Sequence, residues 1–156
     1  MSEIDLDKID LRILAELQAN ARLRNVELAD KIGLSPSPCL RRVRRLEDLG
    51  VIRGYATLVD QQAVDLPVSV FIQVTLEKQI EPALESFERS IREWPEVMEC
   101  YLMSGEFDYL LRVVVANMAD FERIHKESLT RLPGVARVNS SFGIRTVQRK
   151  TELPLR

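Results

Sequence analysis

The sequence predicts an α+β fold in two parts, and three observations predict it. From Leu6 to Leu46 the apolar residues recur at spacings of three and four, the mark of helices with one buried side. From Val68 onward the period changes: Val68, Val70, Ile72, Val74 and Leu76 alternate with Ser69, Phe71, Gln73 and Thr75, the mark of a strand. Between the two regimes the stretch DQQAVDLP, residues 60–67, follows neither pattern and reads as a linker. A length of 156 residues suits one ordinary domain or two small ones.

The first helix is expected from Leu6 to about Asn20, with Leu6, Ile9, Ile13, Leu14 and Leu17 inward. Asp7 and Asp10 lie near its start, where the helix dipole favours acids. A shorter helix follows from about Asn25 to Ile32 and stops at Gly33, a residue suited to a left-handed helix end. Ser35-Pro36-Ser37-Pro38 then opens a third helix. Either serine can cap it, because a residue before proline resists helical angles. This helix carries Arg41, Arg42, Arg44 and Arg45 and runs to Gly50. Helix, short helix, glycine turn and basic amphipathic helix is the order of a helix-turn-helix unit. Val51 to Val59 is β-prone and is expected as the strand of a wing.

After the strand from Val68, the positions Ile80, Ala83, Leu84, Phe87, Ile91 and Trp94 have helical spacing, ended by Pro95. Val97–Met103 and Tyr109–Ala116 are expected as a hairpin around the turn Ser104-Gly105-Glu106-Phe107-Asp108. Met118, Phe121, Ile124 and Leu132 mark another helix, and Val135 to about Gln148 a last strand. Strand, helix, strand, strand, helix, strand is the ferredoxin-like split βαβ order. The expected organisation is therefore a winged helix-turn-helix domain at 1–59, a linker at 60–67, and a second domain at 68–156 that includes a polar C-terminal tail.

Composition limits the chemistry. The net charge is −2, and residues 1–60 carry ten basic and ten acidic side chains, so any attraction to nucleic acid must be local. Two distant cysteines suggest a reducing compartment rather than a disulfide framework. One histidine and no Cys-x-x-Cys leave no metal-ligand spacing. No signal peptide or membrane-spanning run is apparent, and a cytoplasmic location is expected. No cofactor and no catalytic residue is expected.

The arginine helix has two readings. Leu40, Val43 and Leu46 make one apolar face, and the guanidinium groups opposite it suit either a solvated surface or a DNA groove. For the second reading, Arg41, Arg42 and Arg45 are the main expected contacts. Arg44, nearer that apolar face, has an acid partner as its alternative. Ser37 and Pro38 lie where free helix amides favour phosphate, or serve simply as helix start. Cys39 is read as a packing residue.

Four stretches, two in each half of the chain, carry a resemblance. LDKIDLRILAELQ with NVELADKIGLSPSPCLRRVRRLEDLGVIRGY in the first half, and GEFDYLL with LTRLPGVARVNSSF in the second, resemble the leucine-responsive regulator/asparagine regulator (Lrp/AsnC, or feast/famine) family of bacterial transcription factors, near its leucine-responsive branch. The resemblance runs from about Leu6 to Gln148. It implies a winged helix-turn-helix that binds double-stranded DNA and an ACT-like domain that responds to an amino acid. It also implies dimers that pair through the second domain and assemble into tetramers or octamers, with the amino acid held between protomers near residues 104–108. Arg24, Asp65-Leu66-Pro67 and Gly143 depart from the family pattern; the third lies beside the expected effector region.

Within that turn, Ser104, Gly105, Glu106, Phe107 and Asp108 have a bland reading as turn chemistry. In the functional reading, amides near Gly105 take a carboxylate and Asp108 approaches an ammonium group. Ser140 and Ser141 add hydrogen bonds from the last strand. Leu102 and Met118 line the side-chain pocket, or equally serve a core or interface. His125 is read as a partly covered surface residue. Two rival classes stand beside a transcription regulator tuned by an amino acid. An enzyme on the ferredoxin-like half is opposed by the lack of any nucleophile–base pair. A regulatory module acting on a partner protein leaves the arginine helix without a role.

Overall fold

In a computed structural model that describes residues 4–127, 129 and 132–155, the first helix begins where Asp7 turns its carboxylate back on the chain. Asp7 Oδ1 accepts from the amides of Ile9 and Asp10, both at 2.8 Å, and Asp7 N donates to Asp10 Oδ2 at 3.3 Å. This reciprocal box satisfies amides that a helix start leaves without partners. Helix α1 (Lys8–Ala19) leads to α2 (Asn25–Ile32) and α3 (Pro36–Asp48). Residues 1–3, 128, 130, 131 and 156 lie outside the described residues.

At the start of α2, Arg24 stands where a capping hydroxyl is usual and has no side-chain acceptor. Glu27 covers that loss: its carboxylate accepts from the Arg24 amide at 3.0 Å and pairs with the Arg24 guanidinium at 2.6 Å. Gly33 ends α2 at φ 74°, and the Leu34 amide reaches back to Ala29 O at 2.9 Å. That left-handed step is one only glycine adopts cheaply. Ile13, Leu14, Leu28, Ala29, Ile32, Cys39 and Leu46 form the core between the three helices.

Two expectations about this half change. Val51 and Ile52 pack against the core, with both amides donating to Leu46 O, but residues 51–59 form no strand among the described residues. A strand needs a neighbour for its backbone groups. The β-prone residues here have none, and Tyr55, Leu58 and Val59 are exposed. The C-terminal tail, expected with the second domain, belongs to this unit: one compact unit runs through Leu58 and takes in the chain from Val147 onward, and the other is Val59–Thr146. Gln18 holds the tail as a strand partner would. Its Oε1 accepts from Leu153 N at 2.7 Å and its Nε2 donates to Leu153 O at 3.2 Å, while Leu155 packs against the helical core.

Between Asp60 and Pro67 the chain makes a turn closed by Leu66 N donating to Gln61 O at 2.8 Å. Asp65 takes φ 58°, and aspartate tolerates this left-handed position better than most side chains.

The second unit contains β1 (Val68–Leu76), α4 (Glu81–Arg92), β2 (Val97–Leu102), β3 (Tyr109–Val115), α5 (Met118–Glu127) and β4 (Val135–Phe142). The sheet order is β2-β3-β1-β4, antiparallel throughout, as the ferredoxin-like pattern requires. One face is packed beneath α4 and α5: Val70, Ile72, Val74, Leu111, Val113 and Val115 are fully buried against Phe87, Ile91, Phe121 and Ile124. The alternating residues lie on the other face, among them Phe71, Gln73, Arg112, Glu99, Tyr101 and Ser141. There Arg112 Nε donates to Glu99 Oε1 at 2.8 Å, and Phe71 and Tyr101 stay 40% and 52% exposed.

Candidate functional site

Helix α3 buries Cys39 and Leu46 fully and Val43 partly, while Leu40 stays 40% exposed and outside the core. At 100° per residue, replacing Leu40 by Cys39 as an inward residue turns the buried face by about 30°. That turn changes which arginines lie beside acids. Arg42 swings toward α1, where its Nη1 donates to Asp7 Oδ2 at 2.7 Å and to Asp10 Oδ1 at 2.8 Å. Arg45 Nη1 donates to Asp10 Oδ2 at 3.1 Å, and its Nη2 to Asp5 O at 3.1 Å. Arg44, for which an acid partner is the alternative to DNA, has no hydrogen bond or ion pair among the described residues, and neither has Arg41. Both point outward and are exposed.

Asp10 is 1% exposed and sits between both arginines, so α1 and α3 are joined by a charged clamp at the edge of the core. Asp7 is held below the usual carboxylate range by the Asp10 amide first and by Arg42 next. Sequence reading took these two acids as dipole partners of α1. Their link to α3 depends on how α3 is rotated, which an apolar stripe defines only to within one residue.

Helix α3 starts at Pro36 with Ser35 in the cap position, so Ser37 falls in the first turn, exposed, and Pro38 is half-buried. The outward face of α3 is a shallow concavity of about 390 Å³ lined by Ser37, Leu40, Arg41, Arg44, Arg45 and Asp48. A second, of about 350 Å³, is lined by Asp5, Asp7, Asp10, Arg41, Arg42 and Arg45, where acids offset the bases. The first has the unpaired guanidinium groups that phosphate or a guanine edge can engage. The Cys39 thiol is buried and its pKa is raised by that burial, as suits a packing residue.

In the second unit, the turn between β2 and β3 leaves Ser104, Gly105 and Glu106 exposed and Phe107 half-buried. Gly105 takes φ 130°, a backbone conformation that side chains disfavour. Asp108 is not an open carboxylate. It is 6% exposed; its Oδ2 accepts from Leu76 N at 2.7 Å and its Oδ1 from Gln79 Nε2 at 2.6 Å. Its backbone joins Met103 and Val74, so this residue locks the turn to β1.

The other expected effector residues do not converge in one protomer. Leu102 ends β2 beside the turn and is 59% exposed. Met118, 55% exposed, begins α5 at the far end of β3, roughly 20 Å from the turn by strand length. Ser140 pairs with Ile72 and Ser141 with Phe71, so the two serines point to opposite faces of the sheet. Among the described residues no cluster of His, Cys, Asp or Glu could hold a metal, and no helix is long and apolar enough to cross a membrane.

Comparison with known proteins accounts for both halves. Residues 6–53 match the winged helix-turn-helix DNA-binding family and residues 69–153 the Lrp/AsnC ligand binding domain. The chain is 55% identical over 117 residues, 75% of its length and 92% of the relative's, to an HTH-type transcriptional regulator of Sinorhizobium fredii. It is 46% identical over 131 residues to the leucine-responsive regulatory protein of Escherichia coli K12, covering 84% of this chain and 80% of that one. A transcriptional regulator of Neisseria meningitidis, solved as a complex with L-methionine, superposes with a TM-score of 0.91 at 43% identity over 97% of both chains. A basic helix exposed on a helix-turn-helix unit and a ferredoxin-like unit beside it in the chain thus have one common source: the chain belongs to the Lrp/AsnC family of DNA-binding transcriptional regulators, whose members join a helix-turn-helix to an amino-acid-binding domain.

Proposed function

We propose that the protein binds specific double-stranded DNA sites through the outward face of α3, with Arg41 and Arg44 as the principal contacts and Ser37 at the rim. The observation that carries this reading is the division among the four arginines: two are tied to Asp10, and two have no partner among the described residues. Arg45 is shared, 47% exposed at its side chain and available at the edge of the same face. Arg41→Ala and Arg44→Ala are expected to weaken binding to a recovered genomic site by about 1–3 kcal/mol each where the side chain reads a base. Arg42→Ala is expected to act chiefly on the stability of the helical unit. Fluorescence anisotropy against site and random duplexes, beside thermal unfolding, separates the two effects. Equal loss of binding from Arg42→Ala with unchanged melting would refute the division.

The effector is a small amino acid, as the L-methionine complex of the Neisseria relative supports. Its carboxylate meets the exposed amides about Gly105, with Glu106 as the open carboxylate of the turn. Because Met118 lies a strand length from the turn, residues that complete the pocket come from a second copy. Pairing through the open sheet face, with Phe71 and Tyr101 exposed on it, would supply that copy. Binding at a shared pocket links effector occupancy to assembly, and assembly to the spacing of paired α3 helices on DNA. The chemistry is binding alone, and it takes place in the cytoplasm, where the DNA is.

A further inference from the structure

We propose that Leu40 determines operator specificity by covering the 5-methyl group of a thymine in the major groove. This rests on the reading of α3 as the helix that enters the groove. Leucine on an amphipathic helix ordinarily faces the core. Leu40 does not: it is 40% exposed and belongs neither to the buried cluster of the helical unit nor to the partly buried side chains packed around it. It lies instead on the concave outward face, with Ser37, Arg41, Arg44, Arg45 and Asp48 around it.

Every other side chain on that face is polar or charged. Leu40 lies one turn after Ser37 and one turn before Arg44, so it sits at the edge of that face, within its N-terminal half. The guanidinium groups of Arg41 and Arg44, which follow Leu40 on the same face, can grip phosphate or guanine edges. They hold the helix in register, and the apolar side chain beside them then meets the base edge next to those they contact. The one apolar group that B-DNA displays in the major groove is the thymine 5-methyl. An exposed leucine there gains by removing that methyl from water. It gains nothing against the amino group of cytosine or the exposed edge of a purine, and it leaves their polar groups without water. The face therefore combines polar contacts that set position with one apolar contact that selects a base.

The test uses the full chain and duplexes carrying a site recovered from genomic DNA. Each thymine is replaced in turn by deoxyuridine, which removes the methyl and keeps the pairing and hydrogen-bonding edges. Wild type is expected to lose about fourfold in affinity at one thymine of each half-site, the amount set by one methyl group returned to water. Leu40→Ala is expected to bind the parent duplex correspondingly more weakly and to be insensitive to deoxyuridine at that position, while responding like wild type elsewhere. Because Leu40 lies outside the core, the variant is expected to melt with wild type. A deoxyuridine profile identical in wild type and Leu40→Ala overturns the proposal, as does a wild type indifferent to every replacement. Arg41→Ala and Arg44→Ala, run on the same duplexes, separate the two levels. If they weaken binding and the profile is still unchanged by Leu40→Ala, only the thymine contact falls. If neither weakens binding, α3 is not the reading helix, and the proposal falls with it.

Discussion

Asp108→Ala is expected to destabilise the effector unit by about 3 kcal/mol, through the loss of two charge-assisted hydrogen bonds and the exposure of one buried donor to no partner. The donor is the Leu76 amide, at the end of the central strand, and the second bond is to Gln79. Asp108→Asn keeps an acceptor for the Leu76 amide and is expected to lose about 1 kcal/mol. Trp94, the single tryptophan, packs against this unit's core and reports its unfolding by fluorescence in a urea titration. A carboxylate whose main partner is a ligand ammonium would behave differently. Asp108→Ala would then keep wild-type stability without effector and lose only the amino-acid response, an outcome that would return Asp108 to the binding site.

The second large effect is expected at Asp10. Asp10→Ala removes the acceptor shared by Arg42 and Arg45 and leaves a small void beside α1. Breaking a buried pair is costly, but both arginine side chains keep partial access to water, at 29% and 47% exposure, so the expected loss is about 2 kcal/mol. One negative charge is also removed, Arg45 loses its only carboxylate partner, and Arg42 keeps Asp7 alone. Affinity for random duplex is expected to rise and its salt dependence to steepen by about one unit, while preference for the true site narrows. Anisotropy titrations at several salt concentrations, on site and random DNA, measure all three. Unchanged discrimination together with unchanged melting would show that the clamp neither supports the helical unit nor tempers its charge.

Element order was open to sequence reading because each period is a direct consequence of backbone geometry. The bounds of α2, Asn25–Ile32, follow from a glycine whose left-handed angle ends a helix wherever it falls. The strand order followed from βαββαβ connectivity. Finer matters depended on what lies across space. Counting Leu40 instead of Cys39 as inward placed Arg44 rather than Arg42 nearer the acids, since a shift of one position on a helix is enough to exchange flanking side chains. The β-prone run after Gly50 was legible as extended, but pairing requires a neighbour that local composition does not supply. Asp108 reads from sequence as turn chemistry or as a partner for a ligand ammonium group; only the pairing of β3 with β1 reveals that the Leu76 amide claims it. Gln18 gave no signal at all, because its partner lies 135 positions later in the chain.

That last contact changes how the protein can be cut. The helical unit is assembled from two separate lengths of chain, one ending at Leu58 and one beginning at Val147. A protease that nicks the exposed turn at residues 61–65 severs one connection and leaves the other peptide, from Thr146 into the tail, intact. The freed helical fragment then departs only if Leu155 leaves its core and Gln18 releases Leu153. A fragment that stops in the linker is consequently an incomplete copy of the DNA-binding unit. A faithful one has to carry the last residues of the chain as well, spliced or supplied as a peptide.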